Sequence, residues 1–354
     1  MKKKLASAYL RPDALAFLGL MLIMVGMPLS KFFLSISPGI IGAAALWHLI
    51  KNRGQNRLKE QAYAWLLAAL FFLCLISGLY TENTGSWIRD VKEKVIIAGL
   101  ALSLAILPKL SRKGYYYLYY LFILAISVTA ALSLYFYLLD YNQINLSIEQ
   151  NKAVDIVGNM HHSYFGLLQA FSIVLALDLF IRKKPIHATV EQKLLIIFSL
   201  FNFLTLHLFA SRTGMLSLYA GLFAYLIFFL FASKNKGLLI GLLSCLLLLP
   251  VIAYYSIPSF KNRVNVTKWD LEQYFIEDRD LSEKSFSQRL LIWESSWKLF
   301  KTSPLIGIGL ADVEDELKSR SKTDQKRINQ DFSLKSPHNQ YLEYLAAYGL
   351  VGFL

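Results

Sequence analysis

Tyr115–Leu139 reads YYYLYYLFILAISVTAALSLYFYLL and contains no Asp, Glu, Lys or Arg. An α-helix rises about 1.5 Å per residue, so a run of this length crosses the ~30 Å hydrocarbon core of a bilayer. Lipid offers no hydrogen-bond partners, and a helix satisfies such a segment's backbone from within. The pattern repeats on both sides. Apolar windows lie near 13–30, 32–50, 62–80, 94–108, 163–181, 193–210, 213–233 and 237–257, and a last one opens at His338. With 55% hydrophobic and 14% aromatic residues over 354 positions, and a mean hydropathy of +0.43, the composition is not that of a soluble domain. The expected fold class is all-α, a polytopic transmembrane helix bundle of about ten spans.

The formal charge of +13 invites a polyanionic partner, but its distribution points elsewhere. Basic residues collect in alternate connections: Lys2, Lys3, Lys4 and Arg11, then Lys51, Arg53, Arg57 and Lys59. The same side receives Lys109, Arg112 and Lys113, then Arg182, Lys183, Lys184 and Lys193, and finally Lys234 and Lys236. That is the positive-inside pattern, which puts the N-terminus in the cytoplasm. Charge here reports topology, and no nucleic-acid partner is expected. The N-terminus is basic then apolar but lacks a small-residue cleavage site, so it reads as a retained first span. Cys74 and Cys245 both fall inside expected spans as small hydrophobes, with no disulfide framework and no cysteine metal site.

The expected organisation is a bundle of about nine spans over 1–257, an outer loop at 258–337 and the start of a further transmembrane helix at 338–354. That last run stops at Leu354 without a polar flank, and the expectation is a chain cut within a span. No internal repeat of the kind found in rocking transporters is visible. Within the loop, Ser287–Phe300 (SQRLLIWESSWKLF) places Leu290, Ile292, Trp293, Trp297 and Phe300 at helical spacing. This predicts an amphipathic helix suited to a membrane surface or to covering a cavity. Pro304 ends it, Leu305–Leu310 (LIGIGL) predicts a glycine-bearing turn or packing segment, and Asp312–Asp331 reads as a charged, mobile stretch.

Few residues are placed to carry chemistry. His338 and Asn339 stand where the outer loop meets an apolar helix, and an imidazole titrates near neutral pH. The plain alternative is that His338 caps a span while Gly349 and Gly352, on one helix face, serve only close packing. Arg212, in Ser211-Arg212-Thr213-Gly214, is wedged between two apolar runs on the outer side. It is either an interfacial snorkelling arginine or a phosphate clamp, since a guanidinium offers a fixed fork to phosphoryl oxygens. Arg289, four residues before Trp293, is either a surface arginine or a second cation at the mouth of the bundle. His161 and His162 are adjacent and would not share one site on a regular helix. They lack a matching carboxylate or cysteine pattern, which disfavours a metal role and leaves sugar or phosphate contact or plain interfacial polarity. His207 reads as a buried, hydrogen-bonded residue, and Glu343 as a partner for an arginine or a polar group facing a cavity. Tyr115, Tyr116, Tyr117, Tyr119 and Tyr120 form an interfacial aromatic belt.

In order, the chain presents SRTG between two apolar runs and a long outer segment with Arg-x-x-x-Trp. Pro-x-x-Gly-x-Gly (Pro304, Gly307, Gly309) and His-Asn-x9-Gly-x-x-Gly follow. This series resembles the O-antigen ligase and polymerase superfamily of bacterial envelope glycosyltransferases, with motif support over roughly 210–354. Ser77–Glu82 and Asn159–Tyr164 are also similar to that family. The resemblance implies a multi-pass protein of the bacterial inner membrane with its active site facing the periplasm, so that 258–337 is a periplasmic loop. It implies metal-independent transfer of a glycan from undecaprenyl diphosphate, without a cofactor. Arg212 and Arg289 would hold the diphosphate and His338 would activate or position the acceptor hydroxyl; Asn339, His161, His162 and Glu343 would contact substrate. Ligation to lipid A–core is expected first, with repeat-unit polymerisation or transfer to protein as alternatives. The rival from another class is a transporter or flippase for a polysaccharide precursor. It ranks lower because charged candidates gather at the outer mouth rather than deep within the spans.

Overall fold

A computed structural model describes residues 12–51, 61–150, 152–158, 160–182, 189–232, 236–276, 281, 285–323 and 336–353. Among these residues there are helices and no strands. They are α1 (Pro12–Leu29), α2 (Lys31–Lys51), α3 (Ala62–Ser77), α4 (Thr84–Ile106), α5 (Arg112–Leu139), α6 (Tyr141–Glu149) and α7 (His162–Ile181). There follow α8 (Val190–Leu208), α9 (Arg212–Ala232), α10 (Lys236–Ser256), α11 (Pro258–Tyr274), α12 (Ser285–Thr302), α13 (Leu310–Thr323) and α14 (Gln340–Phe353). The chain divides into two compact units: Met1–Ile40 with Lys109–Val266, and Ile41–Pro108 with Thr267–Leu354.

Five helices among the described residues are long and apolar enough to cross a membrane: α1, α2, α5, α7 and Leu239–Ser256 of α10. Two further apolar helices are shorter, α3 and Arg212–Phe228 within α9. The expectation of about ten spans is corrected to five, and the protein is a multi-pass membrane protein on that count. Apolar windows and helices do not coincide where the count fails. The window at 94–108 begins midway along α4, whose first turns carry Arg89, Asp90, Lys92, Glu93 and Lys94. Glu191, Gln192 and Lys193 open α8, and Asn202, Thr205 and His207 lie buried inside it. The run after His338 gives α14, a short helix broken at Gly349.

The first unit is a bundle in which α7 packs against α8 and α9. Gly166 and Gly214 allow the closest approach: a Cβ on Gly214 would lie 2.6 Å from the Gly166 Cα. Small residues at such crossings let backbones meet, which drives helix association in lipid. Buried polar groups pair across helices. Asn202 Nδ2 donates to Ser127 Oγ at 2.8 Å, and Gln169 Nε2 to Thr205 Oγ1 at 3.0 Å. His207 is buried as expected, its Nδ1 2.8 Å from the Phe203 carbonyl and its Nε2 2.7 Å from the Tyr219 hydroxyl. Asp178, polar within a span, is bonded to Arg182 (2.7 Å) and to the Tyr225 hydroxyl (2.8 Å).

The second unit is organised around a core of Cys74, Leu281, Leu291, Ile292, Leu299, Leu310, Val313, Leu317 and Ala346–Tyr348. Cys74 is buried as expected; the Cys245 side chain lies outside the described residues. The segment expected as a loop over 258–337 is largely helical where described. α12 covers the predicted amphipathic helix, but its buried stripe is Ser287, Leu291, Ile292, Ser295, Ser296, Leu299 and Phe300, with Trp297 44% exposed. Three serines on this stripe let the helix pack closely within the unit, and its end lines a cavity. The stretch read as mobile forms α13 as far as Thr323; Leu310, Val313 and Leu317 recur on its buried face, and Lys318 pairs with Glu314 at 2.8 Å. The rest of that stretch, 324–331, lies outside the described residues.

Candidate functional site

In the first unit the SRTG sequence starts α9. Ala210 bends the chain with φ +51°, and Ser211 Oγ accepts from Gly214 N (3.3 Å) while donating to the His162 carbonyl (3.3 Å). Ser211 therefore caps α9 and joins it to the start of α7, which fixes Arg212 at the first helical position. His161 is the corresponding cap of α7, its Nδ1 accepting from Ser163 N at 3.3 Å. Because His161 precedes the helix with extended backbone, its ring lies 4.8 Å from that of His162. The expectation that the pair would not share one site holds only for a regular helix, and the cap position removes that condition. Asn159 lies outside the described residues.

Sequence reasoning missed Arg263. It lies on α11, is only 4% exposed, and donates through Nη2 to the Lys152 carbonyl at 2.6 Å. Arg212 is its charged neighbour: burial first, and then the Arg212 charge, push the Arg263 guanidinium down to about 10. It is still a cation at neutral pH. Phe260, one turn before Arg263, and Met215, one turn after Arg212, share one buried cluster, which accounts for the approach. Two guanidiniums at a helix N-terminus form a cationic site, and helix N-termini themselves favour anions. The signal was present in the sequence. Phe260 and Arg263 are three apart, so a helix starting at Pro258 turns the arginine toward the face that Phe260 buries; reading 258 onward as loop hid it.

In the second unit His338 is exposed and adopts φ +50°, a left-handed conformation uncommon outside glycine. The chain is held on both sides of it. Trp293 Nε1 donates to the Pro337 carbonyl at 2.9 Å, and the His338 N–H to Ser336 Oγ at 3.4 Å. Asn339 caps α14, its Oδ1 accepting from Tyr341 N (3.1 Å) and Leu342 N (3.4 Å). Arg289 is one turn before Trp293 on α12, half-buried, and so belongs to the same surface as the Pro337–His338 peptide. Glu343 is half-buried on α14, where the charges acting on it are Lys94 and Asp90 of α4 rather than an arginine.

The closing glycines do not present a flat helix face. Gly349 has φ +60° and ψ −160° and breaks α14. Across the break, Leu350 N donates to the Pro304 carbonyl (2.9 Å) and Val351 N to the Leu305 carbonyl (3.1 Å). The carbonyls of Ala346 and Ala347, released from those amides, accept from Ile308 N (3.0 Å) and Gly309 N (2.9 Å). Four helical hydrogen-bonding groups are thus exchanged for a clasp with the Pro-x-x-Gly-x-Gly segment. A Cβ on Gly307 would lie 2.3 Å from the Ala347 carbonyl carbon, and one on Gly349 2.4 Å from the Leu305 carbonyl carbon. At Gly349 the approach expected of another helix is made by a loop, whereas a Cβ on Gly352 would lie 3.6 Å from Leu73 Cδ1 of α3. The Ser77–Glu82 stretch is held in the same unit by Asp312, which accepts from Thr81 Oγ1 (2.9 Å), Glu82 N (3.0 Å) and Asn83 N (2.9 Å).

Residues 194–354 match the family model described as O-Antigen ligase. A Haemophilus influenzae protein (strain ATCC 51907 / DSM 11121 / KW20 / Rd), described as uncharacterized, is 30% identical over 190 residues, covering 53% of this chain and 45% of that protein. The match thus spans under half of that relative's length. No solved structure matches the chain. The matched segment contains Arg212, Arg263, Arg289, the Pro304–Gly309 clasp and His338, so the C-terminal part of the chain is similar to the O-antigen ligase family over residues 194–354.

Proposed function

We propose that this protein transfers a glycan from an undecaprenyl-diphosphate-linked donor to an acceptor hydroxyl at the periplasmic face of the inner membrane, with lipid A–core as the first acceptor. The observation that carries this reading is the buried Arg263 beside Arg212 within a segment matching the O-antigen ligase model. Adjacent guanidiniums, one of them almost wholly out of water, are costly to bury and suit a ligand of multiple negative charge.

The acceptor oxygen attacks the anomeric carbon, the bond from that carbon to the diphosphate breaks, and the hydroxyl proton passes to His338. Undecaprenyl diphosphate leaves with the negative charge. Arg212 and Arg289 stabilise that charge, with Arg263 added to the first of them, and fixed cations suffice without a metal ion. His338 acts as a neutral imidazole reached from solvent. Asn339 serves by fixing the start of α14, and His161, His162 and Glu343 contact substrate in this reading.

Purified protein, an undecaprenyl-diphosphate glycan and lipid A–core, with and without a chelator, provide the test. Product on lipid A–core that persists in chelator is the expected result. A ladder of lengthened donor, or product on protein, makes the reaction polymerisation or protein glycosylation. No product with any acceptor overturns the transferase reading, and restoration by divalent ion overturns the metal-free mechanism.

A further inference from the structure

The second unit contains a cavity of about 740 Å³ that the roles proposed above leave unused. It is lined by the turn after α3, the start of α4, the end of α12, part of the Pro304–Gly309 clasp and one face of α13. Its framework is fixed. Asp312 holds the 81–83 backbone, and Asn83 caps α4 by accepting from Ser86 N (2.9 Å) while donating to Asp315 Oδ2 (2.5 Å). Other groups in the lining are not spent on the fold. Among the described residues, the carboxylates of Glu82 and Glu316 have no hydrogen-bond or ion-pair partner. Arg320 Nε is buried without a partner.

Charge decides what such a cavity takes. Glu82, Asp312, Asp315 and Glu316 set four carboxylates against two cations, the guanidinium of Arg320 and Lys318, which pairs with Asp315 at 3.7 Å. A phosphate would meet net repulsion there, unlike at Arg212 and Arg263. A sugar hydroxyl both donates and accepts, so carboxylate acceptors beside a guanidinium donor suit an uncharged polyol. The volume falls within the roughly 300–1,000 Å³ of small-molecule sites.

We propose that this cavity is a saccharide subsite, in which Asp315, Glu316 and Glu82 accept from the hydroxyls of an uncharged sugar residue and Arg320 donates to one. The glycan-transfer reading contributes only the choice of ligand class, because binding here needs no turnover.

Carboxylate footprinting of the whole chain in detergent tests it. Labelling by carbodiimide and an amine is read by mass spectrometry, with glucose, galactose, N-acetylglucosamine and glucose 1-phosphate as probes. At least one neutral sugar should protect Asp315 and Glu316, glucose 1-phosphate should not, and exposed Glu272 should label equally throughout. Read at Asp315, Glu316→Gln and Arg320→Gln should each weaken protection about tenfold, the cost of one charge-assisted hydrogen bond. Absence of protection by all three neutral sugars, equal protection by glucose 1-phosphate, or unchanged protection in both variants would overturn the proposal. His338→Ala should leave the footprint intact. Absence of transfer by the wild type with a retained footprint counts against the transfer reading, and a missing footprint with retained transfer counts against the cavity alone.

Discussion

Arg212 and His338 both stand at the start of an apolar helix, and the chain holds them in different ways. Arg212 is the first helical residue of α9, locked by the Ser211 cap and the Gly166–Gly214 crossing, with the buried Arg263 beside it. His338 stands outside its helix at positive φ, exposed, and is positioned through backbone bonds to Trp293 and Ser336. The contrast fits the roles proposed for the two groups. A cation meant to supply a standing field gains from exclusion of water, because the field is less screened. A proton carrier gains from contact with solvent, where it can reset after each turnover.

The most direct way to break this contrast is His338→Ala. Its side chain packs into no core, so the fold should survive, and transfer should fall by something on the order of 10²–10⁴ as for a lost general base. A variant with both full activity and native Tm would remove His338 from the mechanism. Next in size is Gly349→Ala. The positive φ and the 2.4 Å contact with Leu305 should together cost about 2–3 kcal/mol, seen as a lower Tm in detergent. Gly99→Ala is its control: nothing lies within 4 Å of the added Cβ, and stability should be unchanged or higher.

How far the sequence reaches is clearest at these same sites. Arg212, Arg289 and His338 were singled out because residue type and neighbouring apolar runs point to them, and residues 194–354 match the family that their order suggested. Arg263 was missed because its meaning depends on burial, which a segment read as loop does not convey. Gly349 was noticed but misread: spacing alone makes it a helix-face glycine, whereas its positive φ and clasp with Pro304 and Leu305 require contacts more than forty residues away. The span count failed for a related reason. Hydropathy windows register apolar content, and α4 and α8 mix that content with polar residues which the helix pairs internally or turns outward.

Two smaller effects sharpen the comparison. Inorganic pyrophosphate at ten times its Kd should stabilise the wild type by about 1.4 kcal/mol through mass action. Arg263→Met should abolish that gain while changing the Tm without ligand little, since a lost hydrogen bond to Lys152 is offset by the removed cost of a buried charge. An equal pyrophosphate response in both proteins would make Arg263 structural only. Asn339→Ala should lower stability by about 1 kcal/mol through loss of the α14 cap. If it instead lowers transfer as severely as His338→Ala at unchanged Tm, Asn339 touches substrate.

The exchange of hydrogen bonds at the Gly349 break has a consequence for how this region tolerates change. Ile308 and Gly309 meet Ala346 and Ala347 through main-chain atoms; Gly307 and Gly309 are fixed by their positive φ, but the exposed side chains of Leu305 and Ile306 are free to vary. The count of residues is not. One residue inserted or deleted there shifts every donor past its acceptor, and the helix cannot recover the bonds because Gly349 has already turned the chain. Length, more than chemistry, is the specification this segment carries, and related chains should differ here by substitution rather than by gap.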